Sequence, residues 1–259
     1  MRVDLHNHTT LCNHAQGTIE QYIQKAIECG TKYFGFSDHA PMDFDTKYRM
    51  GFEDMQKYEN DIKEAKQKYK NKIDILLGYE VDYIEGHIDE RVKNADVDYL
   101  IGSVHFIERW GFDNPEFIKE YQGKDIDEIW QKYFDTVTKM LNTQLFDIVG
   151  HLDLIKVFKF MPKSNILDIA KETLKAIKQN EMVLEINTAG YRKPIAQPYP
   201  SLELLKEAYR LNIPITFGSD AHEIGQISLN SQKAVKMAKD TGYKKCIIFR
   251  NRQKEFVDF

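Results

Sequence analysis

Short apolar runs rich in β-branched and aromatic residues alternate along the chain with stretches whose apolar residues recur every three or four positions. The first kind of pattern predicts buried strands and the second amphipathic helices. Strands are expected over 2–5, 32–36, 73–79, 99–104, 146–149, 182–186, 213–217 and 245–249. Helices are expected near 18–29, 53–69, 127–142, 165–179, 202–211 and 231–241. Repeated alternation of strand and helix implies a mostly parallel sheet, either closed as a barrel or open and doubly wound. No GxGxxG or GxxxxGK[ST] stands at a strand–helix junction, so nucleotide-binding versions of such folds lack support.

Local signals mark the helix ends. Thr18 and Gln21 have the spacing of a capping box, in which each side chain satisfies the other's backbone amide. Ile19, Tyr22, Ile23, Ala26 and Ile27 then share one face. Gly30 and Gly242 supply left-handed stops, and Ser201 is read as a helix N-cap.

At 259 residues and 42% hydrophobic, the chain can bury one α/β barrel or two small domains; a single domain over 1–259 is expected. A formal charge of −4 gives no basic balance for nucleic acid. Three cysteines without CxxC spacing argue against a disulfide scaffold and suit a reducing cytoplasm. No cationic and apolar leader is expected at the start, and no apolar run nears a membrane span. Oligomeric state is not readable from these patterns.

The chemistry lies where the strands end. RVDLHNH, YFGFSDH, LIGSVH, DIVGH and TFGSDAH each run from a predicted strand into a histidine, and ILLGYE ends on Glu80. Parallel strands of a barrel bring their C-terminal ends to one face, where barrel enzymes keep their active sites. Residues far apart in sequence thus meet. His6, His8, His14, His39, His105, His151 and His222, with Glu80 and Asp220, make nine candidate metal ligands. Imidazole suits zinc, iron or manganese. Since a catalytic zinc takes about three protein ligands, nine suit about three divalent ions. Two ions roughly 3.5–4 Å apart are a recurring device in phosphate ester hydrolysis.

Taken in order, DLHNH (4–8), SDH (37–39), GH (150–151) and SDAH (219–222) resemble the polymerase and histidinol phosphatase (PHP) family. HTTLCNHAQGT, GYEVD, GSVH and WGFDNPE are similar to its histidinol-phosphatase branch, and the likeness covers about residues 2 to 250. The resemblance implies a distorted (β/α)7 barrel, with the strand at 245–249 peripheral. It also implies a trinuclear site: His6, His8, Glu80 and Asp220 at one metal, His14, His39 and His222 at a second, His105 and His151 at a third, with Glu80 bridging. The implied reaction is hydrolysis of L-histidinol phosphate by attack of a metal-bound hydroxide.

Several further residues are candidates. Arg192 is a phosphate clamp with a catalytic role, Lys156 is a second phosphate contact, and Lys193 is weaker. Asp4, Asp38 and Asp153 are expected to orient metal-bound imidazoles; Asp38 is alternatively a participant in proton transfer, and Asp220 is counted a catalytic residue as well as a ligand. Asp82, on the face of Glu80, is a candidate for the substrate amine. Phe106, Trp110 and Tyr191 are candidates to stack on an imidazole, whereas His87 reads as a loop histidine and Cys12 as a packing residue. The expected partner is a small phosphomonoester, with neither nucleic acid nor membrane. The alternatives are a family member acting on another phosphomonoester or nucleotide, an amidohydrolase-like metal hydrolase, and a non-enzymatic metal-binding module.

Overall fold

The structure, a computed structural model, describes residues 2–259. Its strands are β1 (Val3–Asp4), β2 (Tyr33–His39), β3 (Asp74–Asp82), β4 (Tyr99–Ser103), β5 (Phe106–Ile107), β6 (Trp110–Gly111), β7 (Ile148–Val149), β8 (Val183–Asn187), β9 (Ile215–Gly218), β10 (Lys245–Arg250) and β11 (Gln253–Asp258). The helices are α1 (Ile19–Glu28), α2 (Met55–Tyr69), α3 (Glu90–Lys93), α4 (Ile126–Asn142), α5 (Ile166–Gln179), α6 (Leu202–Arg210) and α7 (Ser231–Thr241).

Seven strands form one parallel sheet in the order β1-β2-β3-β4-β7-β8-β9. The two ends of that order meet. Leu5 N donates to Phe217 O at 2.8 Å, Asp220 N to His6 O at 2.7 Å and His8 N to Ala221 O at 3.0 Å. These bonds draw the sheet into a nearly closed barrel of seven strands, the α/β architecture that the resemblance implies. Closure removes the exposed sheet edges.

The helices form for the reasons the sequence offers. The capping box at Thr18 is present, and Gly30 and Gly242 take φ of +74° and +119°. Asp125, Asn165 and Ser201 cap α4, α5 and α6 by accepting from backbone amides. On α4 the buried residues Ile129, Trp130, Tyr133, Phe134, Val137, Met140 and Leu141 form a stripe against the sheet.

Strand bounds shift slightly from expectation, and at β2 and β3 the shift matters. Both run further than predicted, so His39, Glu80 and Asp82 lie inside the sheet with strand-fixed directions. The predicted strand at 245–249 does lie outside the barrel, paired antiparallel with β11. That hairpin covers the N-terminal end of the barrel. Arg250 binds Asp74, Arg252 N donates to Asp98 O at 2.9 Å, and Phe249 lies 6.3 Å from the Tyr99 ring. β5, β6, α3 and β11 were not expected. No helix among the described residues is long and apolar enough to cross a membrane.

Candidate metal centre

The open, C-terminal end of the barrel holds a cavity of about 500 Å³. His14, His39, Glu80, His105, His151, Asp220 and His222 line it. His6 and His8 lie fully buried directly beneath. All nine candidate ligands therefore converge, although they come from six separate stretches of chain.

Glu80 is at the centre. Its Oε2 is 3.3 Å from His6 Nε2, 3.2 Å from His39 Nδ1 and 3.6 Å from His8 Nε2. Its Oε1 is 2.9 Å from His151 Nε2 and 3.7 Å from His105 Nε2. Asp220 Oδ1 is 3.2 Å from His8 Nε2, and the His8 and His222 rings are 3.9 Å apart. Donor atoms lie within 4.8 Å of one another in the sets His6–His8–Glu80, His14–His39–His222 and Glu80–His105–His151, with a fourth set of His8, Cys12 and His222. Cys12, read from sequence as packing, is buried among these donors.

The electrostatics favour cations. Burial opposes charge on Glu80, but the charges of His6 and His105 and a hydrogen bond with His151 hold its carboxyl well below the usual range. Asp220 is likewise held low by His6 and His8 against its burial. Burial also opposes a proton on His6, yet Glu185, Glu80 and Asp220 keep its pKa well above ordinary. Burial, with the charge of His8 nearby, drives His39 and His222 well below their ordinary value, leaving them neutral. Neutral imidazole is the form that binds metal. Carboxylates that favour protonated histidines in one pocket favour divalent ions there equally. His6 Nε2, His39 Nδ1, His151 Nδ1 and His222 Nε2 are buried without hydrogen bonds. Orphaned ring nitrogens around two carboxylates fit metal ions better than any protein partner would.

On His6, His8, His14 and His105 the second ring nitrogen is anchored, as is usual for metal-binding histidines. His6 Nδ1 pairs with Glu185 Oε1 at 2.7 Å, His8 Nδ1 with Asp38 Oδ1 at 3.3 Å, and His14 Nδ1 with the Cys12 carbonyl at 2.8 Å. His105 Nδ1 pairs closely with Asp82.

Several expectations need correction. Asp38, expected in proton transfer, is fully buried behind His8, with its oxygens taken by His8, His39 N and Thr9; a carboxylate cut off from the cavity cannot reach a substrate. Lys156, expected at phosphate, is 1% exposed and donates to Asp153 Oδ2 at 2.7 Å and Pro198 O at 2.8 Å. It is absent from the cavity wall, because the turn after β7 points it into the core. Asp153 answers Lys156 and Ser201 N rather than an imidazole. Asp4 accepts from Ser219 and Asn7, tying β1 to β9. Asp82 lines the cavity, but Arg49 Nη1 at 2.6 Å and His105 already occupy it. Trp110 packs on Tyr121 at 4.7 Å, and Tyr191 lies under Lys233, both outside the cavity wall, whereas Phe106 is in it. His87 pairs with Asp43 in a loop.

Arg192 stands where it was expected. Its Nη2 donates to the carbonyls of Ser219 and Asp220 at 3.0 and 2.8 Å, while Nη1 is buried without a partner. Lys193 lies beside it in the wall. Sequence reasoning missed Glu185, Arg49 and Asp113. Glu185 had a signal, a lone carboxylate set among Val183, Leu184 and Ile186 in the strand VLEIN. Arg49 had none, since its partner Asp82 is remote in sequence.

The PHP domain family model matches residues 4–189. A "Probable histidinol-phosphatase" of Deinococcus radiodurans is 37% identical over 255 residues, covering 96% of this chain and 97% of the relative. The "Histidinol-phosphatase" of Bacillus subtilis is 30% identical, covering 86% and 94%. Among solved structures, the histidinol phosphate phosphatase of Lactococcus lactis, complexed with zinc, L-histidinol and phosphate, superimposes with a TM-score of 0.81 at 25% identity, covering 98% of each chain.

Proposed function

The chain belongs to the PHP family, and we propose from that premise that it is a histidinol-phosphatase, hydrolysing L-histidinol phosphate to L-histidinol and inorganic phosphate in histidine biosynthesis. The observation that carries this reading is the cavity floor, where seven histidines, Glu80 and Asp220 converge beneath an arginine with a free, buried Nη1. The full-length likeness to named histidinol-phosphatases supports the substrate.

Three divalent ions fit the ligand count: one at His6, His8, Glu80 and Asp220, one at His14, His39 and His222, and one at His105, His151 and Glu80. Zinc has the support of the Lactococcus lactis complex; iron and manganese suit the same donors. Bound there, such ions supply a nucleophile near neutral pH and neutralise phosphoryl oxygens.

The chain's own residues do the rest. Arg192, in the cavity wall and fixed through Nη2 by two backbone carbonyls, is the guanidinium we assign to phosphate. Asp220 is the cavity carboxylate assigned to proton transfer, and Asp38 acts behind it by orienting His8. Glu185 and Asp82 orient His6 and His105. A cavity of about 500 Å³ suits a small phosphomonoester. We assign the whole chain to one catalytic domain and the reaction to the cytoplasm.

Inorganic phosphate release from L-histidinol phosphate, with metal analysis of the same sample, tests the reading. Selective turnover by protein holding two to three ions is expected. Indiscriminate weak turnover would move the substrate elsewhere in the family. No turnover of any ester with the ions present would overturn the phosphatase reading.

A further inference from the structure

Among the described residues, five carboxylates line the cavity: Asp45, Glu80, Asp82, Asp113 and Asp220. Four are committed. Glu80 and Asp220 sit among the imidazoles of the metal floor. Asp82 and Asp45 hold Arg49, at 2.6 and 3.2 Å. Asp113 alone has neither hydrogen bond nor ion pair, and burial pushes its carboxyl upward. Its strongest charged neighbours, His105 and Lys193, lie beyond ion-pair distance. Asp113 is half-buried in the cavity wall, and a carboxylate there without a protein partner is free to pair with a cation that enters the cavity.

Asp113 is also held firmly in place. The preceding residue, Phe112, is fully buried, stacked edge-on against Tyr133 at 5.3 Å, and its carbonyl accepts from Tyr121 OH at 3.2 Å. The following turn, Pro115–Tyr121, is capped by Asn114, whose side chain accepts from Glu116 N. The carboxylate therefore hangs from a rigid wall, and a preorganised group loses little freedom on meeting a ligand. Phe106 and Phe117 line the same cavity.

We propose that Asp113 is a specificity-determining residue that binds the cationic nitrogen end of the substrate while the metal floor and Arg192 take its phosphate. The proposal rests on the reading of the substrate as L-histidinol phosphate, which carries a primary ammonium and an imidazole. It moves the amine contact from Asp82, which Arg49 already neutralises, to a carboxylate with no protein partner. The same cavity thus offers an anion site at the metal floor and Arg192 and a carboxylate for a cation at Asp113.

The test is Asp113→Asn, an isosteric change that removes the charge. Wild-type and variant proteins are compared on L-histidinol phosphate, O-phosphoethanolamine and 4-nitrophenyl phosphate, with metal content and thermal midpoint as controls. The expected result is a roughly tenfold to hundredfold fall in the ratio of kcat/KM for L-histidinol phosphate over 4-nitrophenyl phosphate, carried mostly by KM, as fits loss of a charge-assisted hydrogen bond. Competitive inhibition by L-histidinol should weaken in parallel. A matching fall on O-phosphoethanolamine assigns the contact to the ammonium; a fall confined to L-histidinol phosphate assigns it to the imidazole. Equal loss on all three esters, or no loss on any, overturns the proposal. A wild-type protein inactive on L-histidinol phosphate overturns the substrate reading itself, an outcome visible before the variant is assayed.

Discussion

Both oxygens of Glu185 are occupied at the back of the metal floor. Oε1 faces His6 Nδ1 at 2.7 Å, and Oε2 accepts from His151 N at 2.8 Å and Asn187 Nδ2 at 3.1 Å. One side chain thereby fixes a ring from the first ligand group and the backbone of a ligand from the third. The neighbouring strand makes room for it. A Cβ on Gly218 would come within 2.1 Å of Glu185 Oε1 and 2.6 Å of His6 Cβ, so this position admits no side chain. Glu185→Gln keeps the shape but removes the charge that orients His6. Metal affinity is expected to fall on the order of 10–100-fold, read by competition with a chromogenic chelator, and phosphate release should fall with it. Unaltered affinity would mean that His6 is held without Glu185. The histidines and Glu80 were legible in sequence because each follows an apolar strand and has little other reason to stand there. Arg49 and Asp113 were not, because their meaning depends on which carboxylates are already paired, a fact set by contacts between loops.

The strands must curve tightly enough to close, and the interior packing shows how. Tyr99, on β4, points into the barrel, where its hydroxyl donates to Leu5 O at 2.6 Å. Gly78 on β3 and Gly35 on β2 leave the space its ring occupies; a Cβ on Gly78 would meet the Tyr99 ring at 2.5 Å. Gly78→Ala should therefore cost about 1–3 kcal/mol through overpacking, seen as a lower thermal midpoint and a lower urea midpoint at unchanged m-value. An unchanged midpoint would show that the ring can shift freely. The major elements could be read from periodicity because each buries a regular face. The hairpin β5–β6 is too short to show a period. β11 escaped because most of its residues are exposed, and its pairing with β10 rather than its own pattern makes it a strand.

For the molecule as a whole, the metal centre is also a fastening. Its ligands come from the ends of β1, β2, β3, β4, β7 and β9 and from the loop carrying His14, so bound ions tie most of the barrel rim together. Removing them leaves buried imidazoles and carboxylates compensating one another imperfectly. Ligands that bind only the folded state stabilise it by about 4 kcal/mol at a thousandfold excess over Kd, and in a chain of this size that corresponds to a midpoint shift on the order of 10 °C. Calorimetry after chelation should show such a drop, reversed by adding back zinc; an identical midpoint would confine the ions to catalysis. The sequence by itself determined the strand–helix alternation, the α/β class, the family and the convergence of histidines, because these follow from hydrophobic periodicity and from residues fixed at strand ends. The tertiary structure decided which charges face the cavity and which face one another. Lys156 and Asp38 went into buried pairs, Arg49 took Asp82, and Asp113 remained unpaired. No local pattern encodes such pairings, since each partner lies on another strand or loop and the choice follows from burial, which exists only once the barrel closes.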